Sequence, residues 1–280
     1  KVSLSGVGLH TGKDVSITFC PADADQGYSF KRIDLEGNPI IEADANYVTS
    51  TERGTCLNKN DIIIQTCEHV LASLVGLQID NVLIELNASE PPIMDGSSKF
   101  FVEALEKAGI KELSKKRKEF VVKNVISYRD EDSGSEITVL PSNEYQVTTM
   151  VDFGTKILGT QNATIESISE FKDNISSCRT FSFLHEIEML LNKGLIKGGD
   201  LNNAIVYVDK PLSQETMTKL KKAFNKDKIA VKSNGILDNL NLHYPNEAAR
   251  HKLLDVIGDL ALIGTKIRGK VIATKPGHYI

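Results

Sequence analysis

The stretch Asn246–Leu262, NEAARHKLLDVIGDLAL, contains both an apolar face and a row of ionisable side chains. It predicts one helix, because its apolar residues recur at steps of three and four positions. On the other side His251, Asp255 and Asp259 follow one another at intervals of four, within roughly 80° around the helix axis. Such a row is either an ordinary polar face or a source of metal ligands. The apolar positions are Leu253, Leu254, Ile257, Leu260 and Ala261.

The composition is that of an ordinary globular protein. Of 280 residues, 41% are hydrophobic and 25% charged, which suits one large domain or two of about 140 residues. A formal net charge of −4 argues against non-specific nucleic-acid binding, since that needs a basic surface to displace counterions from phosphates. The basic run Lys115–Lys118 is most simply a solvated linker.

Cysteine use and hydropathy predict a cytoplasmic location. The four cysteines form no C-x-x-C pair, so the sequence indicates neither a zinc knuckle nor a disulfide framework. No apolar run approaches the 18 or so residues of a transmembrane segment, and the N-terminus shows no signal-peptide pattern. Because the chain starts at Lys1 rather than at methionine, we expect it to be part of a longer protein.

The order of predicted elements is similar in the two halves of the chain. In the first half we predict strands within 1–64, a helix over 68–76, a strand over 81–86 and a helix over 101–108. After the linker we predict strands, the helix quoted above and a last strand, over 120–126, 135–140, 145–153, 246–262 and 270–273.

A short internal repeat favours two halves of similar build. His69–Gly76 and His251–Gly258 share the pattern H-x-L-x-x-φ-φ-G, in which φ is aliphatic. Eight positions can agree by chance, so the agreement in element order supports the inference. We predict domains at 1–116 and 117–280, the second with an insertion over about 182–208 and an extra surface insertion over about 209–246.

The ionisable residues around the two repeats suit a catalytic metal site. His69, His251 and Asp255 would give a His₂Asp set with a fourth position free for water. Glu68 then stands where a general base belongs, or else complements the dipole of the helix N-terminus. Two imidazoles and a carboxylate suit both zinc and iron(II). Neither H-E-x-x-H nor a Walker A loop is present.

Seven short motifs occur in the order found in one enzyme family. They are Ser5–Gly12 (SGVGLHTG), Cys67–His69 (CEH), Ile79–Asn81 (IDN), Pro92–Ser97 (PIMDGS), Arg179–Phe181 (RTF), Arg250–Asp259 (RHKLLDVIGD) and Lys275–His278 (KPGH). Together they resemble the zinc-dependent UDP-3-O-acyl-N-acetylglucosamine deacetylase of lipid A biosynthesis. The resemblance implies an α+β fold in which two similar β-α-α-β domains, each with a small insertion, pack as a layered sandwich with the active site between them.

The resemblance also implies the reaction and the residues that carry it. The N-acetyl group of UDP-3-O-(3-hydroxyacyl)-N-acetylglucosamine would be hydrolysed to a free amine and acetate, the committed step of lipid A biosynthesis. Glu68 would be the general base, His278 the general acid, and Asp259 would orient and charge His278. Thr180 would stabilise the oxyanion, and Lys252 would contact the substrate near the reacting centre. By similarity the Zn²⁺ ligands are His69, His251 and Asp255.

In this family the insertion of the second half forms an apolar passage for the acyl chain. Taken singly, each apolar residue there is more often an ordinary core residue than a ligand contact. Some family members are fused to a hydroxyacyl-carrier-protein dehydratase, and a chain that stops at Ile280 is compatible with such a fusion. The expected substrate-binding residues are Phe181, Phe183, Leu184, Leu191 and Gly198, with Leu195 and Ile196 as further apolar positions.

Two other functions stay open from the sequence. A zinc hydrolase of another amide would not require the nucleotide and the acyl chain. A lipid-binding or nucleotide-sugar-binding protein with an inactive site is opposed by the presence of Glu68, Thr180 and His278 together.

Overall fold

Two mixed β-sheets, one from each half of the chain, form the outer layers of the fold. The computed structural model describes residues 1–192, 197–224, 227–237 and 240–280. The strands are β1 (Val2–Val7), β2 (Asp14–Pro21), β3 (Tyr28–Arg32), β4 (Ile40–Glu42), β5 (Val48–Ser50), β6 (Cys56–Lys59), β7 (Ile62–Ile64), β8 (Val82–Leu86), β9 (Glu119–Val121), β10 (Ile126–Asp130), β11 (Ser135–Leu140), β12 (Tyr145–Asp152), β13 (Thr160–Ile165), β14 (Phe181–Phe183), β15 (Ile205–Tyr207) and β16 (Lys266–Thr274). The helices are α1 (Glu68–Gly76), α2 (Lys99–Ala108), α3 (Phe171–Asn174), α4 (Leu184–Asn192), α5 (Gln214–Ala223) and α6 (Glu247–Leu260).

The two large sheets repeat one topology. The first has the order β1-β2-β8-β3-β4 and the second β10-β11-β16-β12-β13, with β9 paired to β16 as well. Each sheet begins with an antiparallel pair, β1 and β2 in the first and β10 and β11 in the second. The last strand of each half lies in the centre of its sheet, where β8 is parallel to β3 and β16 is parallel to β12. The α+β class and the predicted similarity of the two halves are therefore confirmed.

Each half carries its insertion at the same point of the topology. The first insertion lies between β4 and α1, and the second lies between β13 and α6. The first insertion is the antiparallel sheet β5-β6-β7, and the second contains the parallel pair β14 and β15 together with α4 and α5. The second insertion has its own small core. Leu220 and Leu237, which lie in the range 209–246 expected on the surface, belong to that core. The core residues are Leu184, Ile187, Leu201, Val206, Leu220 and Leu237.

Helices α1 and α6 pack against each other between the two sheets. A Cβ atom on Gly258 would lie 2.1 Å from the carbonyl oxygen of Glu68, so only glycine allows this spacing. Gly76 has a similar role, because a Cβ atom there would lie 2.0 Å from the ring of Phe171. The glycine shared by the two copies of the repeat is thus explained by close packing in both places.

The helices cover the two sheets unequally. In the first half α2 packs on β1, and the rings of Phe101 and Phe19 meet edge to face with centroids 6.2 Å apart. In the second half α6 packs on β12 and β13, while Ile126 and Tyr128 of β10 are 52% and 59% exposed. Among the described residues, no helix is both long and apolar enough to cross a bilayer.

The structure confirms the quoted helix and corrects one strand. The helix predicted over 246–262 is α6, but the strand predicted over 120–126 is wrong, because β9 ends at Val121 and β10 begins at Ile126. The N–H of Val122 still donates to the carbonyl oxygen of Arg268 in β16. The exposed residues 123–125 then carry the chain to the far edge of the same sheet.

Replacing Gly258 with alanine is expected to force α1 and α6 apart, because the new methyl group overlaps the Glu68 carbonyl. We expect the free energy of unfolding to fall by about 1–3 kcal/mol, the usual cost of overpacking, as measured by urea denaturation. Glu103→Ala is the control, since that side chain is 56% exposed. An unchanged urea midpoint for Gly258→Ala would contradict the close crossing.

Candidate active site

Six ionisable side chains from both halves meet where α1 crosses α6. Their positions follow from local structure, because α1 begins with the two residues it supplies and α6 presents its three on successive turns. Central strand β16 returns the chain to the helices, and the sixth residue follows in the next turn. The six are Glu68 and His69 from α1, His251, Asp255 and Asp259 from α6, and His278 after β16.

Three of the six form a buried cluster with metal-ligand geometry. The Nε2 atoms of His69 and His251 each lie 3.4 Å from Asp255 Oδ1. The ligand atoms of the three residues lie within 4.8 Å of one another, and all three residues are buried. Asp255 Oδ1 is itself buried and has no hydrogen-bond partner in the described part of the chain. A buried carboxylate oxygen that faces two imidazole nitrogens and has no hydrogen bond from the described residues is suited to bind a divalent metal.

Hydrogen bonds orient these donors and set their charge. His251 Nδ1 donates to the carbonyl oxygen of Cys178 at 3.0 Å, which leaves Nε2 for a metal. Burial lowers the pKa of His251 to about 3, so the ring is neutral. Lys252 Nζ donates to Asp255 Oδ2 at 2.8 Å. Burial acts to raise the pKa of Asp255, but the Lys252 ammonium and the nearby His278 cation hold it well below its usual range.

Glu68, Asp259 and His278 form a second cluster beside the first. His278 Nδ1 donates to Asp259 Oδ2 at 2.8 Å, and His278 Nε2 lies 4.0 Å from Glu68 Oε1. Burial raises the pKa of Glu68. Burial acts to lower the pKa of His278, but the hydrogen bond to Asp259 and the other nearby carboxylates raise it to about 9. A carboxylate base and a protonated imidazole therefore stand side by side.

Thr180 is held at the site from both halves of the chain. Its N–H donates to the carbonyl oxygen of Gly96 at 2.8 Å. Gly96 has a φ of +85°, and a Cβ atom there would lie 2.0 Å from a carbonyl oxygen of the second half, which explains the glycine of the motif Pro92–Ser97. Next to Thr180, Arg179 Nε donates to the fully buried Glu247 at 2.9 Å. This ion pair ties the Thr180 segment to the first turn of α6.

A cleft of about 340 Å³ opens onto both clusters. The ring of Phe181 meets the ring of His251 edge to face, with centroids 6.3 Å apart, so an apolar wall begins directly beside the candidate metal site. A larger depression of about 830 Å³ lies under residues 109–118, but none of the six clustered residues lines it. The apolar residues of the cleft are Leu9, Phe153, Phe181, Phe183, Ile187, Leu201, Ala204, Val206 and Phe224.

The residues expected to bind substrate lie in different places. Phe181 and Phe183 line the cleft. Leu184 is fully buried in the core of the second insertion. The N–H of Gly198 donates to the carbonyl oxygen of Leu9 at 3.1 Å, so this glycine joins the insertion to the first half. The side chain of Leu191, and Leu195 and Ile196 entirely, lie outside the described residues.

Sequence reasoning missed three residues that hold the site together. Glu247 anchors Arg179 as described. Fully buried Glu90 accepts hydrogen bonds from the N–H groups of His10 and Thr11, both at 3.0 Å. The N–H of Thr55 donates to Glu68 at 3.1 Å. A single residue has no spacing pattern from which its role could be predicted. The only sequence signal for these residues was that Glu90 and Glu247 lie close to recognised motifs.

The substitution His251→Ala is expected to lower zinc affinity by more than about 100-fold, because it removes one of the three candidate ligands, and loss of a residue that only orients a ligand already costs about 10- to 100-fold. The measurement is the zinc dissociation constant in competition with a chelator. His185→Ala is the matched control, since His185 is 51% exposed and pairs with Asp209 outside the cluster. Full zinc occupancy in His251→Ala would remove that residue from the ligand set.

Comparison with known proteins identifies one family. The family described as LpxC, UDP-3-O-acyl N-acetylglycosamine deacetylase, matches residues 1–229 and 217–280. A bifunctional enzyme LpxC/FabZ from Bacteroides thetaiotaomicron is 48% identical over 278 residues, which cover 99% of this chain and 60% of that protein. The protein of the same name from Porphyromonas gingivalis is 46% identical over 280 residues, which cover 100% of this chain and 61% of the relative.

A third relative is named for the deacetylase activity only. It is the UDP-3-O-acyl-N-acetylglucosamine deacetylase of Geotalea uraniireducens, 40% identical over 281 residues, which cover 100% of this chain and 83% of that protein. The chain thus spans about 60% of the length of the bifunctional relatives. Because the family match extends from the first residue to the last, this chain belongs to the UDP-3-O-acyl N-acetylglycosamine deacetylase family.

Proposed function

We propose that this protein hydrolyses the N-acetyl group of UDP-3-O-(3-hydroxyacyl)-N-acetylglucosamine, giving acetate and the free amine required for lipid A biosynthesis. The observation that carries the proposal is the buried cluster of His69, His251 and Asp255 directly beside Glu68 and His278. Family membership and the name of the third relative support the substrate class. The reaction class is metal-assisted amide hydrolysis.

The donor set of the first cluster fits a resident zinc ion. Catalytic zinc sites use three protein ligands of these types and keep a fourth position open. Asp255 Oδ1, which is buried and accepts no hydrogen bond from any residue that the structure describes, is the atom available to the metal. When bound, zinc would supply Lewis acidity to the acetyl carbonyl and to the attacking water. The same donors accept iron(II), and zinc is the metal that we propose.

Glu68 is the proposed general base. It precedes the ligand His69 in the first turn of α1, and its raised pKa makes it a better proton acceptor near neutral pH. Glu68 would take one proton from water while the water oxygen forms a bond to the acetyl carbon. The Thr180 hydroxyl, at the wall of the same cleft, would donate a hydrogen bond to the oxyanion that forms.

His278 is the proposed general acid. Its ring is held in place through Nδ1 by Asp259, so Nε2 is the atom that faces Glu68. When the C–N bond breaks, Nε2 would give its proton to the departing nitrogen, which leaves poorly as an anion. Lys252 also lines the cleft. Burial acts to lower its pKa, but the adjacent Asp255 raises it, so a cation stays near the reacting centre.

The apolar wall of the cleft is the proposed site of the 3-O-acyl chain. Phe181 and Phe183 from β14 line the cleft together with Leu201 and Val206, which belong to the core of the second insertion. Their rings lie 6.2 Å apart, edge to face, and Phe153 packs on both. This arrangement offers apolar surface next to the reacting amide, where a 3-O-acyl group on the same sugar would lie.

The wider setting of the protein is also a proposal. We propose domain boundaries at 1–116 and 117–280, because the two large sheets draw their strands from either side of this point. A cytoplasmic location is supported by four cysteines that are all free. A fusion to a hydroxyacyl-carrier-protein dehydratase is supported by the names of the bifunctional relatives and by the 60% of their length that the chain spans.

Acetate release from the UDP-linked substrate tests the function. Metal-stripped protein is expected to be inactive and to recover turnover with one equivalent of zinc. Parallel assays with UDP-N-acetylglucosamine, which lacks the acyl chain, separate this activity from that of another amide hydrolase. Bound zinc without acetate release would instead indicate a binding protein with an inactive site.

The substitution Glu68→Gln is expected to lower kcat by about 10²- to 10⁴-fold, the usual contribution of a general base. Zinc content should stay unchanged, because the three ligands are intact. Acetate release and metal analysis on the same preparation provide the measurement, with Glu103→Gln on the exposed face of α2 as control. Retained turnover would place the base elsewhere.

The pH dependence follows from the pKa of His278. Since His278 must be protonated to act and its pKa is raised to about 9, kcat/KM should decline as pH rises through about 9. Asp259→Asn removes the hydrogen-bonded charge, so the pKa of His278 should fall towards its ordinary value of about 6.5 and the alkaline decline should begin at lower pH. A profile unmoved by Asp259→Asn would argue against this pair, and Asp80→Asn on the remote Arg117 pair is the control.

A further inference from the structure

One buried threonine contacts both carboxylates on which the proposed proton transfers depend. The N–H of Thr55 donates to Glu68 Oε2 at 3.1 Å. The hydroxyl of the same residue donates to Asp259 Oδ1 at 2.5 Å. Thr55 is 2% exposed. A single residue therefore touches the proposed base directly and touches the partner of the proposed acid.

The two oxygens of the Asp259 carboxylate have different donors. Oδ2 accepts from His278 Nδ1 at 2.8 Å, and Oδ1 accepts from Thr55. A carboxylate held through one oxygen can still rotate about its last side-chain bond, because that torsion has a broad minimum. Bonds to both oxygens fix its plane, and the plane determines the direction in which the His278 ring is held.

The backbone around Thr55 is shaped to approach Glu68. Thr55 precedes β6 in the small sheet of the first insertion, so it lies on neither α1 nor α6. Its carbonyl oxygen accepts from the thiol of Cys67, the residue before Glu68, at 3.6 Å. Gly54 has a φ of +152°, and a Cβ atom there would lie 3.0 Å from Glu68 Oε1. Glycine at this position lets the chain pass close to the carboxylate.

We propose that Thr55 is a positioning residue that sets the relative geometry of the base and the acid. Its backbone N–H holds Glu68, its hydroxyl holds the Asp259 carboxylate, and Asp259 in turn directs His278. The first insertion thereby couples a base from one half of the chain to an acid from the other. This inference rests on the proposed deacetylase function, because it assigns Thr55 a part in those two proton transfers.

The test compares Thr55→Val, which keeps the shape but loses the hydroxyl, with Thr55→Ser, which keeps the hydroxyl. In the zinc-loaded protein Thr55→Val is expected to lower kcat by about 10- to 100-fold, as for other orienting partners, with KM within about two-fold and zinc content unchanged. Thr55→Ser should recover most of the turnover. Thr49→Val makes the same chemical change at an exposed site on neighbouring β5 and is the matched control.

A second readout does not depend on turnover. In zinc-loaded protein with ¹⁵N-labelled histidine, the Nδ1–H proton signal of His278, assigned by its loss in His278→Ala, should persist in Thr55→Ser and broaden or shift in Thr55→Val. If wild-type protein releases no acetate while this signal still depends on the hydroxyl, the deacetylase function fails and the positioning contact stands.

Three results would overturn the role of Thr55. The first is an unchanged kcat in Thr55→Val, and the second is an equal loss in Thr55→Ser. The third is an undiminished effect of Thr55→Val in an Asp259→Asn background, where its partner carboxylate is already absent. If Thr55→Val does not fold, Thr55→Ala with the same zinc and NMR measurements takes its place, and an unaltered His278 signal there also overturns the proposal.

Discussion

The crossing of α1 over α6 is the contact on which the rest of the structure depends. Gly258 lets the backbone of α6 lie against the carbonyl of Glu68, and no larger residue fits there. The crossing covers the inner faces of both sheets, which a layered α+β fold must bury. It also brings His69 next to Asp255 and His251 on the other helix. Neither half alone holds the complete cluster of three, so packing of the halves and assembly of the site are one event.

The site contains several buried charged side chains, and most of them are paired with a group of opposite charge. Arg179 is paired with Glu247, Lys252 with Asp255, and His278 with Asp259. At the centre, none of the residues that the structure describes donates a hydrogen bond to Asp255 Oδ1. A buried acceptor of this kind costs about 1–3 kcal/mol, and keeping it bare is consistent with a ligand atom reserved for a metal. On the proposed function, this local cost leaves the oxygen free to bind the metal.

Much of the fold could be predicted because its signals are local. The helical period in Asn246–Leu262 correctly indicated α6, and the recurrence of element order correctly indicated two similar halves. The break after Val121 in the strand predicted over 120–126 could not be predicted, since it depends on β16 pairing with β11 and β12 beyond Arg268. Leu184 shows the same limit, because an apolar residue beside a cleft and one in the adjacent core have the same appearance in sequence.

The sequence by itself determined which side chains share a helix face, which glycines recur and which residue types are available for acid, base and metal chemistry. The tertiary structure alone decided which of these groups meet. Thr55 and Asp259 lie 204 positions apart and share a hydrogen bond. The physical reason is that helical and strand periods repeat over a few residues, whereas such contacts depend on sheet register and on the angle at which two helices cross.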